Sequence, residues 1–272
     1  MRDTTDGGWR LGERMPTDGG VVAYDVLGSG PPVVLVHGTP TWSYIWRRVA
    51  ARLAGTHTVY VWDLLGYGDS ETAPGVSPSI RLHARTLAEL AGRWGIGAAD
   101  VAGHDIGGAA VLRAHLLHGL PLRRLALIDA VALAPFITPA SRHMRDHLEC
   151  YRTMPLPVFA ALIAAHLDTA TARPLPDDVR ARYLDRFAGE PGRARWLDHV
   201  AHFDEDDTRA FEPALARIDV PTRVLWGDRD AWLAPADGRL TYPRPSGAGA
   251  VVREGELLFR IIPAGAPGPR TK

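Results

Sequence analysis

The sequence predicts an α/β protein in which a mostly parallel β-sheet carries helices on both faces. Short apolar runs, typical of strands buried on both faces, alternate with helical segments over residues 21–128. The alternation then stops, and residues 131–214 show helical spacing without a convincing strand. A strand pattern returns at residues 222–226. We therefore expect one sheet with a helical cap inserted between two strands, over the edge where open α/β sheets bind ligands.

The strands are predicted from their apolar and β-branched runs. Residues 33–36 (VVLV) follow two prolines and are continuously apolar, and residues 57–62 (HTVYVW) show a similar pattern. Shorter or more mixed runs predict the other strands, which are residues 21–26, 100–102, 122–128 and 222–226, with a last candidate at 257–262.

Helices are predicted where apolar residues recur at three and four positions, at residues 42–53, 80–94 and 106–117. The chain then divides into an irregular N-terminal segment at 1–20, a core at 21–130 and 215–262, a cap at 131–214 and an irregular tail at 263–272. The tail follows from composition, because ten of the last thirty residues are Gly or Pro.

Charge and cysteine content limit the classes of partner. Lys plus Arg and Asp plus Glu both number 31, so the formal net charge is zero, which argues against nucleic acid or an anionic membrane as the main partner. Cys150 is the single cysteine, so no internal disulfide can form. No apolar run approaches the roughly 18 residues of a membrane helix, and no secretory leader is visible. We expect a cytoplasmic protein, whose oligomeric state stays open.

Residues 103–108, Gly-His-Asp-Ile-Gly-Gly, lie between a predicted strand and a predicted helix. Small residues two positions either side of a central nucleophile are typical of a nucleophile elbow, a tight turn that lifts the central side chain into a cleft. The central residue is Asp105, and the N–H of Ile106 would lie at a helix N-terminus, where negative charge is favoured. The alternative is an ordinary aspartate that caps a helix beside a glycine turn.

The surrounding motifs favour the elbow. His37-Gly38-Thr39-Pro40 directly follows the strand at 33–36, where a loop could supply a second backbone donor from Thr39. With this loop the chain resembles the α/β-hydrolase family over roughly residues 20–235. The matching stretches are VVLVHGTPTWSYIWRRVA (33–50), VYVWDLLGYGDS (59–70), VAGHDIGGAAVLRAH (101–115), LALIDAVALAP (125–135) and PTRVLWGDRDAWLAP (221–235). The Asp nucleophile makes it similar to the haloalkane dehalogenase and epoxide hydrolase branch.

The resemblance implies a hydrolase without a cofactor that acts on a small apolar electrophile, with water as co-substrate. The Asp105 carboxylate would attack an sp³ carbon and form an alkyl ester, which a His-activated water would hydrolyse. The Thr39 and Ile106 N–H groups would stabilise the oxyanion. Asp230 is the preferred acid for orienting the base, and Asp129 is the alternative. His37 and Trp42 are further candidates for the substrate site.

The chain departs from the family pattern in its base and its leaving-group site. The family places its base His after the last strand, and this sequence has no histidine after His202. A truncated or frame-disrupted relative that only binds or traps ligand is therefore the alternative function, and His199 or His202 of the cap could substitute for the base. Ile106 stands where dehalogenases often place a halide-binding Trp. Epoxide hydrolases use two cap tyrosines, for which the candidates are Tyr151 and Tyr183.

No metal is expected. His143, His147 and Cys150 share one face of a predicted helix, but a fourth ligand is not evident, so ordinary surface residues are the preferred interpretation.

Overall fold

A computed structural model describes residues 8–233 and 250–252 of the chain. Its sheet has nine strands, which are β1 Glu13–Thr17, β2 Gly20–Leu27, β3 Pro32–Val36, β4 Thr58–Trp62, β5 Glu71–Thr72, β6 Ala99–His104, β7 Leu122–Ile128, β8 Thr222–Gly227 and β9 Ala250–Val252. The order across the sheet is β1-β2-β4-β3-β6-β7-β8-β9, with β5 paired to β2. The strands from β4 to β9 along this order are parallel, and β1, β2 and β5 pair antiparallel.

The helices fall into two groups. Three of them alternate with the strands: α1 Arg47–Leu53, α2 Ile80–Arg93 and α3 Ile106–His118. The second group lies between β7 and β8 and comprises α4 Pro139–Asp146, α5 Leu148–Arg152, α6 Leu156–Asp168, α7 Asp177–Leu184, α8 Gly189–Ala201 and α9 Asp206–Arg209. No strand lies between β7 and β8 in the described chain, as the helical spacing of that segment predicts. The boundaries of this segment as a cap stay a prediction.

The central strand β3 separates two apolar layers. Val34 and Val36 pack in a core with residues of α2 and α3, whereas Val33 and Leu35 pack in a second core with residues of α1. All four side chains are at most 2% exposed. Successive side chains of a strand point to opposite faces, so a continuously apolar strand requires cover on both. The six strands predicted between residues 21 and 226 are confirmed, as are the three core helices.

One predicted segment was wrong. Residues 1–20 were expected to be irregular, but β1 pairs antiparallel with β2, and the nearby Trp9 and Leu11 are buried. The sequence of β1, ERMPT, has no apolar alternation and therefore does not predict a strand. Backbone hydrogen bonds to β2 hold this segment at the edge of the sheet. The candidate strand at 257–262 and the tail at 263–272 lie outside the described residues.

No helix in the described part of the chain combines the length and apolar character needed to span a bilayer.

Candidate active site

The turn between β6 and α3 forms a tight elbow at Asp105. Asp105 has φ 52° and ψ −128°, in the left-handed half of backbone space that non-glycine residues rarely adopt. A Cβ on Gly107 would lie 2.1 Å from the carbonyl oxygen of His37, and one on Gly103 would lie 2.7 Å from the Cα of Gly108. The two glycines are therefore sterically required. The Asp105 side chain makes no helix-capping hydrogen bond, so the capping interpretation does not describe it.

The loop after β3 brings a backbone donor to the Asp105 carboxylate. The Thr39 N–H donates to Asp105 Oδ1 at 2.7 Å. Gly38 permits this approach, because a Cβ there would lie 2.4 Å from the Asp105 Cβ. The Ile106 N–H, the first of α3, also stabilises the charged carboxylate. The N–H groups of Thr39 and Ile106 thus both interact with the Asp105 carboxylate.

His37 holds the loop after β3 in place through both nitrogens of its ring. Its Nδ1 lies 3.0 Å from the carbonyl oxygen of Gly38, and its Nε2 accepts a hydrogen bond from the Leu64 N–H at 2.9 Å. Since a backbone N–H only donates, Nε2 is the unprotonated nitrogen and Nδ1 donates. Burial lowers the pKa of His37 to about 3, so the ring is neutral and its 3.9 Å approach to Asp63 is not an ion pair. His37 holds the Thr39 loop and is not among the residues that line the pocket.

Burial changes the acidity of Asp105. The side chain is 9% exposed, and loss of solvent raises its pKa to about 7. The N–H groups of Ile106 and Thr39 oppose this shift, whereas the negative charges of Asp230 and Asp129 add to it. The nucleophile candidate is therefore partly ionised at neutral pH.

The two candidate acids lie beside Gly227 at the end of β8. Asp129 follows β7 with φ 41°, and its Oδ1 accepts from the Gly227 N–H at 2.6 Å. Burial, reinforced by Asp230, raises the pKa of Asp129 to about 7. Asp230 Oδ1 accepts from the N–H groups of Trp232 at 2.8 Å and Leu233 at 3.0 Å, which closes the loop after β8. The fold thus brings all three predicted carboxylates into one electrostatic group.

A pocket opens onto Asp105, and residues of the helices between β7 and β8 line part of it. It encloses about 540 Å³ of empty space, part of which is open to solvent. Its polar lining residues are Thr39, Asp105, Thr138, Ser141, His166 and His199, and its apolar ones include Val131, Phe136, Ile137, Trp196, Val200, Phe203, Trp232 and Leu233. No lysine or arginine lines it among the described residues, and burial lowers the pKa of both histidines.

Trp42, like His37, is a predicted site residue that does not line the pocket. It is 3% exposed, stacks on Tyr44 with ring centres 5.4 Å apart, and has the guanidinium of Arg186 4.1 Å from its ring centre. It packs in the core and is not a lining residue of the pocket. Tyr183 is also buried, edge-on to Tyr44, and neither it nor Tyr151 lines the pocket.

His166 lines the pocket although no sequence pattern indicates it. His166 of α6 stacks on Trp232 at 4.8 Å and meets Trp196 edge-on at 5.6 Å. These three residues come from separate parts of the chain, and only the tertiary packing brings them together. In the described part of the chain, no three His, Cys, Asp or Glu side chains gather into a metal-binding group. His143 and His147 do approach each other, at 4.6 Å between ring centres.

Comparison with known proteins identifies the family of this chain. The sequence model of the alpha/beta hydrolase family matches residues 33–265. A haloalkane dehalogenase from Mycobacterium marinum is 31% identical, over 81% of this chain and 75% of its own. The crystal structure of an alpha/beta hydrolase fold protein from Burkholderia ambifaria superposes with a TM-score of 0.83 at 36% identity, covering 87% of each chain. The epoxide hydrolase CorEH has the same fold, with a TM-score of 0.61 at 24% identity over 80% of this chain and 82% of its own. The chain belongs to the alpha/beta hydrolase family.

Proposed function

We propose that this hydrolase attacks a small, uncharged electrophile with the Asp105 carboxylate and forms an alkyl ester. The observation that carries the proposal is the contact between the Thr39 N–H and Asp105 Oδ1 at 2.7 Å, at the pocket wall. A backbone donor on one carboxylate oxygen orients the group and leaves its other oxygen for attack. The same donor then faces the ester carbonyl, where negative charge develops during hydrolysis.

The nature of the nucleophile selects the type of bond that is broken. A carboxylate displaces a leaving group from an sp³ carbon. A haloalkane gives an alkyl ester and a halide ion, whereas an epoxide ring opens to an ester that carries an alkoxide on the neighbouring carbon. The haloalkane dehalogenase name of the Mycobacterium relative supports this class of substrate. Water is the second substrate, because it must hydrolyse the ester.

The pocket lining favours an uncharged substrate. Its aromatic and aliphatic side chains would contact an apolar body, and Asp105 is the one acidic group among the described lining residues. With no cation there to pair with a substrate carboxylate, an anionic substrate would lose its hydration without compensation. Haloalkanes and simple epoxides meet this requirement.

A second candidate function is a ligand trap that forms the ester and keeps it. The absence of any histidine after His202 in the sequence favours it, because the resemblance places the base there. Incubation with butyl bromide or styrene oxide, followed by intact-mass measurement, separates the two functions. Repeated bromide or diol release supports the hydrolase, and one stable adduct per chain supports the trap.

The matched controls are Asp105→Asn and Asp228→Asn. Asp105→Asn keeps the shape of the side chain and should abolish both adduct and product. Asp228 is exposed in the loop after β8, so its substitution should leave both unchanged. Product formation by Asp105→Asn at the rate of the unmodified protein contradicts the proposal.

A further inference from the structure

Trp232, in the loop after β8, lines the pocket and also reaches the protein surface. The residue is half-buried and lines the pocket together with Asp105. Its indole N–H donates to the hydroxyl oxygen of Thr169 at 2.9 Å, and Thr169 is an exposed residue that directly follows α6. The indole of Trp232 therefore stands between the pocket and solvent.

Several contacts fix the position of this indole. Its face stacks on the imidazole of His166, with 4.8 Å between ring centres and 16° between planes. His166 is met edge-on by Trp196 of α8, which is 4% exposed. The backbone N–H of Trp232 donates to Asp230 Oδ1 at 2.8 Å, so the main chain is held as well as the ring. Stacked rings and a hydrogen bond must all separate before the indole can leave, which makes it a fixed part of the pocket wall.

A fixed wall limits the length of an apolar substrate. A haloalkane that reacts with Asp105 places its electrophilic carbon at the carboxylate, and its other carbons contact the apolar lining of the same pocket. A chain too long for the pocket needs the space that the indole of Trp232 occupies. Because the edge of the indole at Thr169 borders solvent, removal of the ring would let such a chain extend to the surface.

We propose that the indole of Trp232 sets the longest alkyl chain that the pocket accepts. The inference rests on the proposed function, from which it takes the attack by Asp105. It assigns substrate length to a contact between the loop after β8 and α6, two parts of the chain that are joined here by His166 and Thr169.

Three substitutions separate the parts of this contact. Trp232→Ala removes the ring but keeps the backbone N–H that donates to Asp230. Trp232→Phe keeps an aromatic ring that can stack on His166. Thr169→Val keeps the shape of the threonine side chain and removes the acceptor of the indole N–H.

Trp94 provides the matched control. It is also half-buried, and its ring lies 5.6 Å from that of Tyr24 and 4.9 Å from that of Tyr60, measured between ring centres. It does not line the pocket. Trp94→Ala therefore removes an indole of similar exposure without changing the pocket wall.

The experiment is a competition between butyl bromide and octyl bromide at equal concentrations. The two esters on Asp105 and the two alcohols differ in mass, so mass spectrometry of early samples gives the ratio of octyl to butyl product. This ratio does not depend on the amount of folded protein, so a variant that folds poorly still gives a result. Apolar pockets discriminate by about 10-fold or more between chains of different length, so the ratio should rise about 10-fold in Trp232→Ala. It should rise by smaller factors in Trp232→Phe and Thr169→Val and stay unchanged in Trp94→Ala.

The outcomes separate this inference from the proposed function. An unchanged ratio in Trp232→Ala, with butyl ester or butanol still formed, overturns the inference and leaves Asp105 as nucleophile. An equal rise in Trp94→Ala overturns it as well, because the effect would then be a general loosening of the fold. If the unmodified protein forms no ester and releases no bromide, the proposed function fails and the inference fails with it.

Discussion

Asp105 and Asp129 occupy matching positions at the ends of neighbouring parallel strands. The last register pair of β6 and β7 is His104 with Ile128, and each aspartate is the next residue, with φ 52° and 41° respectively. The Asp105 N–H donates to the carbonyl oxygen of Ile128 at 3.2 Å, which continues the ladder into the turn. The sheet thus places a buried and a half-buried carboxyl group side by side, and both have a raised pKa.

Ester formation should depend on the ionisation of Asp105. Its pKa is raised to about 7, so the rate of ester formation with butyl bromide should rise with pH through about 7 and level off above it. The charge of Asp129 contributes to this raised pKa. Asp129→Asn should therefore move the midpoint of the profile to lower pH, and a quenched-flow pH series measures it. An unchanged midpoint contradicts the electrostatic coupling of the two groups.

The pH dependence of the unfolding free energy should reflect the same raised pKa of Asp105. Between pH 4 and 7 folded Asp105 keeps a proton that unfolded Asp105, with an ordinary pKa near 3.8, has lost, so its contribution to folding falls as pH rises through this range. Asp105→Asn removes this loss. Urea denaturation should show that the unfolding free energy of the variant, relative to that of the unmodified protein, increases by up to roughly 4 kcal/mol from pH 4 to pH 8. The unfolding free energy of the control Asp228→Asn should show the same pH dependence as that of the unmodified protein. The same pH dependence in all three proteins, Asp105→Asn included, would contradict the raised pKa.

The elbow should not tolerate a methyl group. Gly107→Ala places a Cβ 2.1 Å from the His37 carbonyl oxygen, so the loop that carries Thr39 must move. We expect a loss of about 2–4 kcal/mol in unfolding free energy, with loss of ester formation. Gly92→Ala is the matched control: this exposed residue of α2 has no atom within 4 Å of the added Cβ, so the change should stabilise by up to about 1 kcal/mol.

The rate of ester formation should depend more on the charge of the substrate than on its size. Butyl bromide and the anion of bromobutanoic acid have similar length, but the anion would enter a pocket that has no cation among its described lining residues and that faces Asp105. We expect ester formation from the anion to be slower by about 100-fold, which corresponds to the few kcal/mol of an uncompensated charge. Comparable rates, measured at pH 8, would show that a cation reaches the pocket.

The sequence was informative where structure depends on local constraints. Buried strands such as residues 33–36 must be apolar on both faces, and the elbow must have small residues at 103 and 107, so both can be recognised directly. β1 could not be found, because an edge strand held by backbone hydrogen bonds needs no apolar pattern. The contact between His166 and Trp232 at the pocket was also not predictable, since it depends on how α6 packs against the loop after β8. Whether Asp230 or Asp129 serves as the acid stays a prediction, with Asp230 preferred.

The most direct test of the central claim, covalent attack by Asp105, is the mass of the Asp105 peptide. The protein is mixed with butyl bromide in heavy-oxygen water, quenched in acid and digested. We expect the peptide that contains Asp105 to carry either a butyl group or one heavy oxygen atom, and the first alcohol released to contain ordinary oxygen. Release of bromide with the Asp105 peptide unchanged, and heavy oxygen already in the first alcohol, would show that water attacks the substrate directly and would contradict the account.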